Sequence, residues 1–279
     1  MKIGFFGLNQ GPFCTPENMV RLLHKLEECG FESVWTGEHV VLIDPHEAPS
    51  PVPPETPFLD TVAALSFAAA HTERMKLGSG IILLPQRNPV VLAKEMASLD
   101  VVSKGRLEFG IGAGYLKAEF DALGVSFAER GARTDEYIDI MRELWTSAAP
   151  AFAGQFAQFS GIQARPQPVQ VGGPPIVVGG TSAAALRRAA TKCQGWYGFA
   201  LDVGQTQSAT DGLVAAANRF QRESNLGPLE ISITPRKRLT RELVEEFEAL
   251  GVSRLILLMP GQEQAELLAY VDEIADEFI

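Results

Sequence analysis

Residues 176–188, Ile176-Val177-Val178-Gly179-Gly180-Thr181-Ser182-Ala183-Ala184-Ala185-Leu186-Arg187-Arg188, pass from an apolar run through two glycines and two hydroxyl residues into an alanine-rich segment. Ile176–Val178 reads as a buried strand bounded by glycine, and Ser182–Thr191 as a helix. Strand, tight turn and helix make the unit of an α/β fold, so the number of times the unit recurs decides the architecture.

It recurs on both sides. Strands are predicted at Lys2–Leu8, Ser33–Thr36, Lys76–Ile82 and Leu107–Ile111 before it, and at Trp196–Ala200, Leu229–Thr234 and Arg254–Leu258 after it. The helices that follow the other strands are Pro16–Cys29, Asp60–His71, Asn88–Ser103, Arg130–Thr146, Thr206–Ser224, Arg238–Leu250 and Gln262–Phe278. The first has Thr15 at its N-cap, Pro16 at its first position and Gly30 past its end, and Gly251 closes the seventh in the same way. Eight units with buried apolar strands imply parallel pairing, which favours a closed (β/α)8 TIM barrel over a doubly wound open sheet. No internal repeat or linker divides the chain, and residues 1–279 are read as one barrel domain.

Two segments break the rhythm: Pro45–Pro57, between the second strand and its helix, and the Gly/Pro/Gln-rich Ala148–Pro175 before the fifth strand. Loops of this length are usually covers or insertions. Both are expected at the strand C-terminal face, where loops after the strands build a barrel's active site.

Composition narrows the function. The 279 residues are 46% hydrophobic and 21% charged, the make-up of a globular chain with a sizeable core. Against 34 acidic residues stand 24 Lys and Arg, and a net charge of −10 opposes phosphate neutralisation along a nucleic acid. A small molecule is the expected partner. Cys14, Cys29 and Cys193 are widely spaced and form no metal-ligand pattern, which suits a reducing compartment. Without a signal-type N-terminus or a membrane-length apolar run, the expected location is the cytoplasm.

Four places could carry chemistry. His39 falls at the end of the second strand, where it is either an acid/base group in the barrel mouth or a ring satisfied by loop backbone. Gly80 interrupts the third strand, marking a bulge, a close ligand or simple helix packing. Gly110, Gly112 and Gly114 alternate after the fourth strand; Tyr115 stands where a dinucleotide fingerprint needs its third glycine, so the run is either a close backbone approach to a ligand or a turn. Gly179-Gly180-Thr181-Ser182 opens a helix and is a ready phosphate site, an ordinary cap, or both. Arg187-Arg188 and Arg236-Lys237-Arg238 read as solvated charges, and His24 and His71 as structural helix residues.

Phe31 through His39, Leu77 through Ile81 with Asn88-Pro89, Arg106 through Gly114, Arg133 through Trp145 and Ile176 through Ala190 together resemble the luciferase-like monooxygenase superfamily, and most closely its coenzyme F420-dependent oxidoreductases. The resemblance implies a luciferase-like barrel with a deazaflavin or flavin ring at the strand C-terminal ends and a non-prolyl cis peptide near Gly80–Ile81 behind it. It implies a phosphate at Gly179, Gly180 and Thr181, a lining that includes Gly7, Gly80, Ile81, Gly112, Ala113, Gly114 and Trp196, and His39 near the reactive ring carbon. Glu38 and Tyr115 would lie on the substrate side, and the protein would be a homodimer. Tyr115 replaces the glutamate of members that oxidise sugar phosphates, and Gln194 an acidic residue before Gly195-Trp196, so the cofactor site looks retained and the substrate chemistry divergent. The expected activity is hydride transfer between F420 and an organic substrate. The alternatives are an FMN-dependent monooxygenase using O2 and a barrel that binds the cofactor without turnover.

Overall fold

Side chains alternate across a β-strand, so a closed parallel sheet needs apolar residues on both faces of every strand. The computed structural model describes residues 1–259 and 263–279. Its strands are β1 (Lys2–Phe6), β2 (Ser33–Thr36), β3 (Lys76–Ser79), β4 (Ile82–Leu83), β5 (Leu107–Gly112), a short hairpin of β6 (Phe152–Ala153) and β7 (Gln158–Phe159), β8 (Ile176–Gly179), β9 (Gly195–Leu201), β10 (Glu230–Pro235) and β11 (Arg254–Leu258). The named strands outside the hairpin pair in parallel, in the order β3-β2-β1-β11-β10-β9-β8-β5, and β3 pairs with β5 to close the ring. β4 continues the stave of β3 after a break and also pairs with β5. The closed barrel of the sequence reading is therefore present, with eight staves.

The helices are α1 (Pro16–Glu28), α2 (Thr61–His71), α3 (Pro89–Val102), α4 (Lys117–Ala122), α5 (Arg130–Thr146), α6 (Ala183–Lys192), α7 (Val203–Phe220), α8 (Arg241–Ala249) and α9 (Gln264–Phe278). Thr15 holds the N-cap position of α1, although its hydroxyl makes no capping bond. Asp202 caps α7 reciprocally with Gln205, which starts that helix earlier than its apolar period suggests. Gln262, the expected start of the last helix, lies outside the described residues.

The alternation sorts side chains into two cores. Phe6, Trp35, Val177, Tyr197 and Ile256 fill the barrel interior together with Ile81. The larger core, between barrel and helices, takes the opposite faces of the same strands, such as Phe5, Val34, Ile176 and Trp196.

The two interruptions part company. The segment after β2 crosses the strand C-terminal face as expected. Ala148–Pro175 instead joins the end of α5 to the start of β8, which places it at the N-terminal end of the barrel, against α3 and the start of β5: Asp100 accepts from Val169 and Gln170 N–H, and the Gln170 amide donates to the Leu107 carbonyl. Its expected place at the active-site face is corrected by the order of elements: it follows a helix, not a strand.

Candidate active site

At the strand C-terminal ends lies a cavity of about 690 Å³. Its floor is the break between β3 and β4, where the Gly80–Ile81 peptide is cis, as the resemblance implies. Gly80 N–H donates to the Thr36 carbonyl at 2.8 Å, and the Ser79 hydroxyl to the Gly110 carbonyl at 2.8 Å. The break projects toward β5, and there the alternating glycines find their physical reason. A Cβ at Gly110 would stand 1.7 Å from the Ser79 carbonyl oxygen, and one at Gly112 would stand 1.8 Å from Ile81 Cδ1. The spacing accommodates a bulge in the neighbouring strand.

One end of the cavity is polar. Gly180, at φ +103°, turns the chain between β8 and α6, and its carbonyl accepts the Trp196 indole N–H at 2.8 Å. Ser182 is the N-cap of α6, its hydroxyl accepting from Ala185 N–H, and Thr181 stands beside it on the cavity wall. Arg130, Thr134 and Arg188 line the same cavity. Arg130 donates to the Phe127 carbonyl at 2.8 Å and lies 3.8 Å from the Phe127 ring centre. Arg188 is buried, paired with Asp135 at 2.8 Å and donating to the Gly131 carbonyl at 2.8 Å. The expectation that Arg188 is a solvated charge is thus corrected: the inward face of α6 packs on α5, which supplies the carboxylate.

The other end is apolar. Phe6 and Phe199 meet with ring centres 5.1 Å apart, and Pro51, Val52 and Phe58 come from the segment after β2. Tyr115, Phe199 and Leu258 are exposed at the rim. Burial first, and then the charge of Glu119, push the Tyr115 phenol above its ordinary range, so it remains a hydrogen-bond donor at neutral pH.

Of the residues anticipated from sequence, the structure brings Glu38, His39, Gly80, Ile81, Gly112, Ala113, Gly114, Tyr115, Gly179, Gly180 and Thr181 to this one cavity. Trp196 is not on its wall. On β9 the side chain that enters the barrel is Tyr197, and alternation sends Trp196 outward, where it supports the Gly180 turn from behind. Gly7 also stands off the wall: at φ +102° it turns β1 toward Gln10, which does line the cavity. Glu38 reaches the wall, but its carboxylate is occupied by Leu83 N–H and by Arg87, each at 2.5 Å. Gln194 lies at the other end of the barrel, where it accepts from Ile176 N–H.

His39 sits between Phe58 and Tyr115, both edge-on, with centroids at 5.8 and 6.1 Å. Its Nδ1 is 3.3 Å from Oε1 of Glu119 on α4. Sequence reasoning missed Glu119, Arg130 and Thr134. Nothing local distinguishes them, since each is an ordinary polar residue of a helix until the fold turns it inward. Phe6 and Phe199 could have been found, because both stand at strand ends.

A family model described as luciferase-like monooxygenase matches residues 1–250. The uncharacterized protein Rv0940c of Mycobacterium tuberculosis is 33% identical over 202 residues, 72% of this chain and 68% of that protein. The oxygenase component of the flavin-dependent trigonelline monooxygenase of Acinetobacter baylyi is 32% identical over 164 residues, 58% of this chain and 42% of that protein. Among solved structures, an F420-dependent secondary alcohol dehydrogenase in complex with an F420-acetone adduct superposes with a TM-score of 0.78 at 16% identity, covering 99% of this chain and 97% of that one, a likeness of fold.

Proposed function

Because this chain belongs to the luciferase-like monooxygenase family, whose members are flavin- or F420-dependent oxidoreductases, we propose that it transfers a hydride between coenzyme F420 and a small organic substrate. The observation that carries the reading is the two-ended cavity: an anion-accepting end at Gly179–Ser182, an apolar end at the barrel mouth, and His39 on its wall.

The residues fit a phosphorylated ring cofactor. The first turn of α6 offers unpaired backbone N–H groups and the positive end of the helix to a phosphate, with Arg130 on the same cavity wall. Gly80 and Ile81 form a floor that Gly112 leaves open, and a ring placed there would have His39 within the same cavity. When bound, F420 supplies the carbon that gives or accepts the hydride. His39 is the proposed catalytic residue, holding or moving the substrate's proton, and Tyr115, Phe199 and Leu258 at the rim meet the substrate's apolar body. We further propose that residues 1–279 act as one domain in a cytoplasmic homodimer.

A second reading, FMN-dependent oxygenation with O2, is favoured by the flavin-dependent relative from Acinetobacter baylyi. Parallel titration with F420 and FMN, followed by tryptophan fluorescence, decides between them. Trp196 bonds to the Gly180 turn and reports on that end of the cavity. Tighter binding of F420, with F420-linked turnover that does not consume O2, supports hydride transfer. Tighter binding of FMN with O2 consumption overturns it in favour of oxygenation, and binding of neither removes the cofactor reading. In the active enzyme, His39→Ala is expected to lower kcat by ~10²–10⁴-fold, the range of acid/base catalysis.

A further inference from the structure

Glu119 is wholly buried, and a carboxylate in that setting requires partners. It has two among the described residues. The Val40 N–H donates to Oε1 at 2.9 Å, and His39 Nδ1 lies 3.3 Å from the same oxygen. The imidazole is the one base within ion-pair distance of this carboxylate among the described residues. His39 Nδ1 is buried without a hydrogen-bond partner, so its approach to Oε1 is not a formed hydrogen bond, and Glu119 Oε2 is buried and unpartnered as well. Catalytic hydrogen bonds are often long or poorly aligned in the absence of substrate and tighten in the complex.

The chemistry of the pair fixes which atom carries the proton. A carboxylate oxygen only accepts, so Nδ1 satisfies it only as N–H, which in the neutral ring leaves the lone pair on Nε2. We propose that Glu119 is a positioning residue that holds neutral His39 in its Nδ1–H tautomer, opposite to the form a free imidazole prefers in water. Nε2 is then the atom that takes a proton from a substrate group, and the imidazolium so formed faces the Glu119 carboxylate. The catalytic use of this arrangement rests on the role proposed for His39, whereas the tautomer does not. Fixing of a ring nitrogen by a buried hydrogen-bond partner is a general device for setting tautomer and orientation.

The test is nitrogen NMR of isotope-labelled protein without cofactor, with the His39 signals assigned by their loss in His39→Ala. With the ring neutral, Nδ1 of His39 is expected at the shift of a protonated nitrogen and Nε2 at that of a bare one. Glu119→Ala removes the acceptor beside Nδ1, so the major form is expected to revert to Nε2–H, the form a free imidazole prefers. A wild-type protein with Nε2–H as its major form overturns the proposal, as does a Glu119→Ala spectrum with Nδ1–H still the major form. Should Glu119→Ala fail to fold, the wild-type spectrum still decides. Titrating the same wild-type sample with F420 and FMN tests the cofactor reading separately, since failure to bind either leaves the tautomer result standing.

Discussion

At Gly110 an added methyl group would meet a backbone oxygen at 1.7 Å, whereas at Gly112 it would meet the far end of the Ile81 side chain at 1.8 Å. The backbone at Ser79 is tied to Gly110 through its hydroxyl and cannot withdraw, but Ile81 can change rotamer. Gly112→Ala is therefore expected to cost ~1–3 kcal/mol, the usual range for overpacking, and Gly110→Ala to cost more. Urea unfolding of both variants checks the order, and a Gly112→Ala protein less stable than Gly110→Ala would refute it. Because a displaced Ile81 enters the cavity, Gly112→Ala should also weaken binding of whichever of F420 and FMN the wild type prefers. The glycine spacing was legible in the sequence as something other than a dinucleotide fingerprint, but its cause was not, since Ile81 and Gly112 meet across two strands. His39 was legible because a strand end can be located from the strand itself. Its neighbour Glu119 is distant in sequence, and only the fold brings the two together.

Elements with a strong period emerged from the sequence almost intact: β2, β11 and α5 have the bounds their patterns predict. The six residues of α4 are too few to show a helical period, and the hairpin of β6 and β7 has two residues per strand. Both are set by tertiary contacts. The hairpin is tied to side chains of α5: the Glu136 carboxylate accepts from the N–H groups of Gln155, Phe156 and Ala157 at 2.7, 2.8 and 2.9 Å, while Arg133 lies 4.4 Å from the Phe156 ring centre. Glu136→Ala leaves those three amides to water. Limited proteolysis is expected to cut the variant within residues 153–160 at least several-fold faster than the wild type. Cofactor affinity should stay the same, because none of the described residues 148–175 lines the cavity. A matching fall in affinity would show that this insertion acts on the site after all.

Across the whole molecule, the barrel end opposite the cavity is held by charge. Arg254 on β11, almost fully buried, grips the Glu32 carboxylate at 2.7 and 2.8 Å, bonds to Ser232 and approaches Glu230 on β10 at 3.4 Å and Glu108 on β5 at 3.9 Å. Lys76 on β3 and Lys2 on β1 complete the ring through Glu108 and Glu230. The interior of the barrel thus ends in a charged layer, and its members carry opposite pH signatures. Burial pushes the Glu32 carboxyl up, but Arg254 outweighs it and holds the group below its ordinary range; Glu32 therefore stabilises the fold at neutral pH, and this is lost as pH falls through its lowered value. Glu108 is raised, by burial first and against the pull of Arg254 and Lys76. Its contribution is complete below the ordinary carboxylate range and is lost as pH rises through its raised value. Two variants separate these effects. Arg254→Met strands three carboxylates and is expected to cost ~3–5 kcal/mol at neutral pH, with the deficit shrinking in acid as they protonate. Glu108→Gln removes a group of this layer whose ionisation opposes folding, so it should be more stable than the wild type at neutral pH and equal to it below the ordinary carboxylate range. Urea unfolding at neutral pH and near pH ~3, below the carboxylate reference values, measures both. If Glu108→Gln were instead less stable at neutral pH, the Glu108 carboxylate would be a paired anion that Arg254 requires, and the layer would hold by attraction throughout.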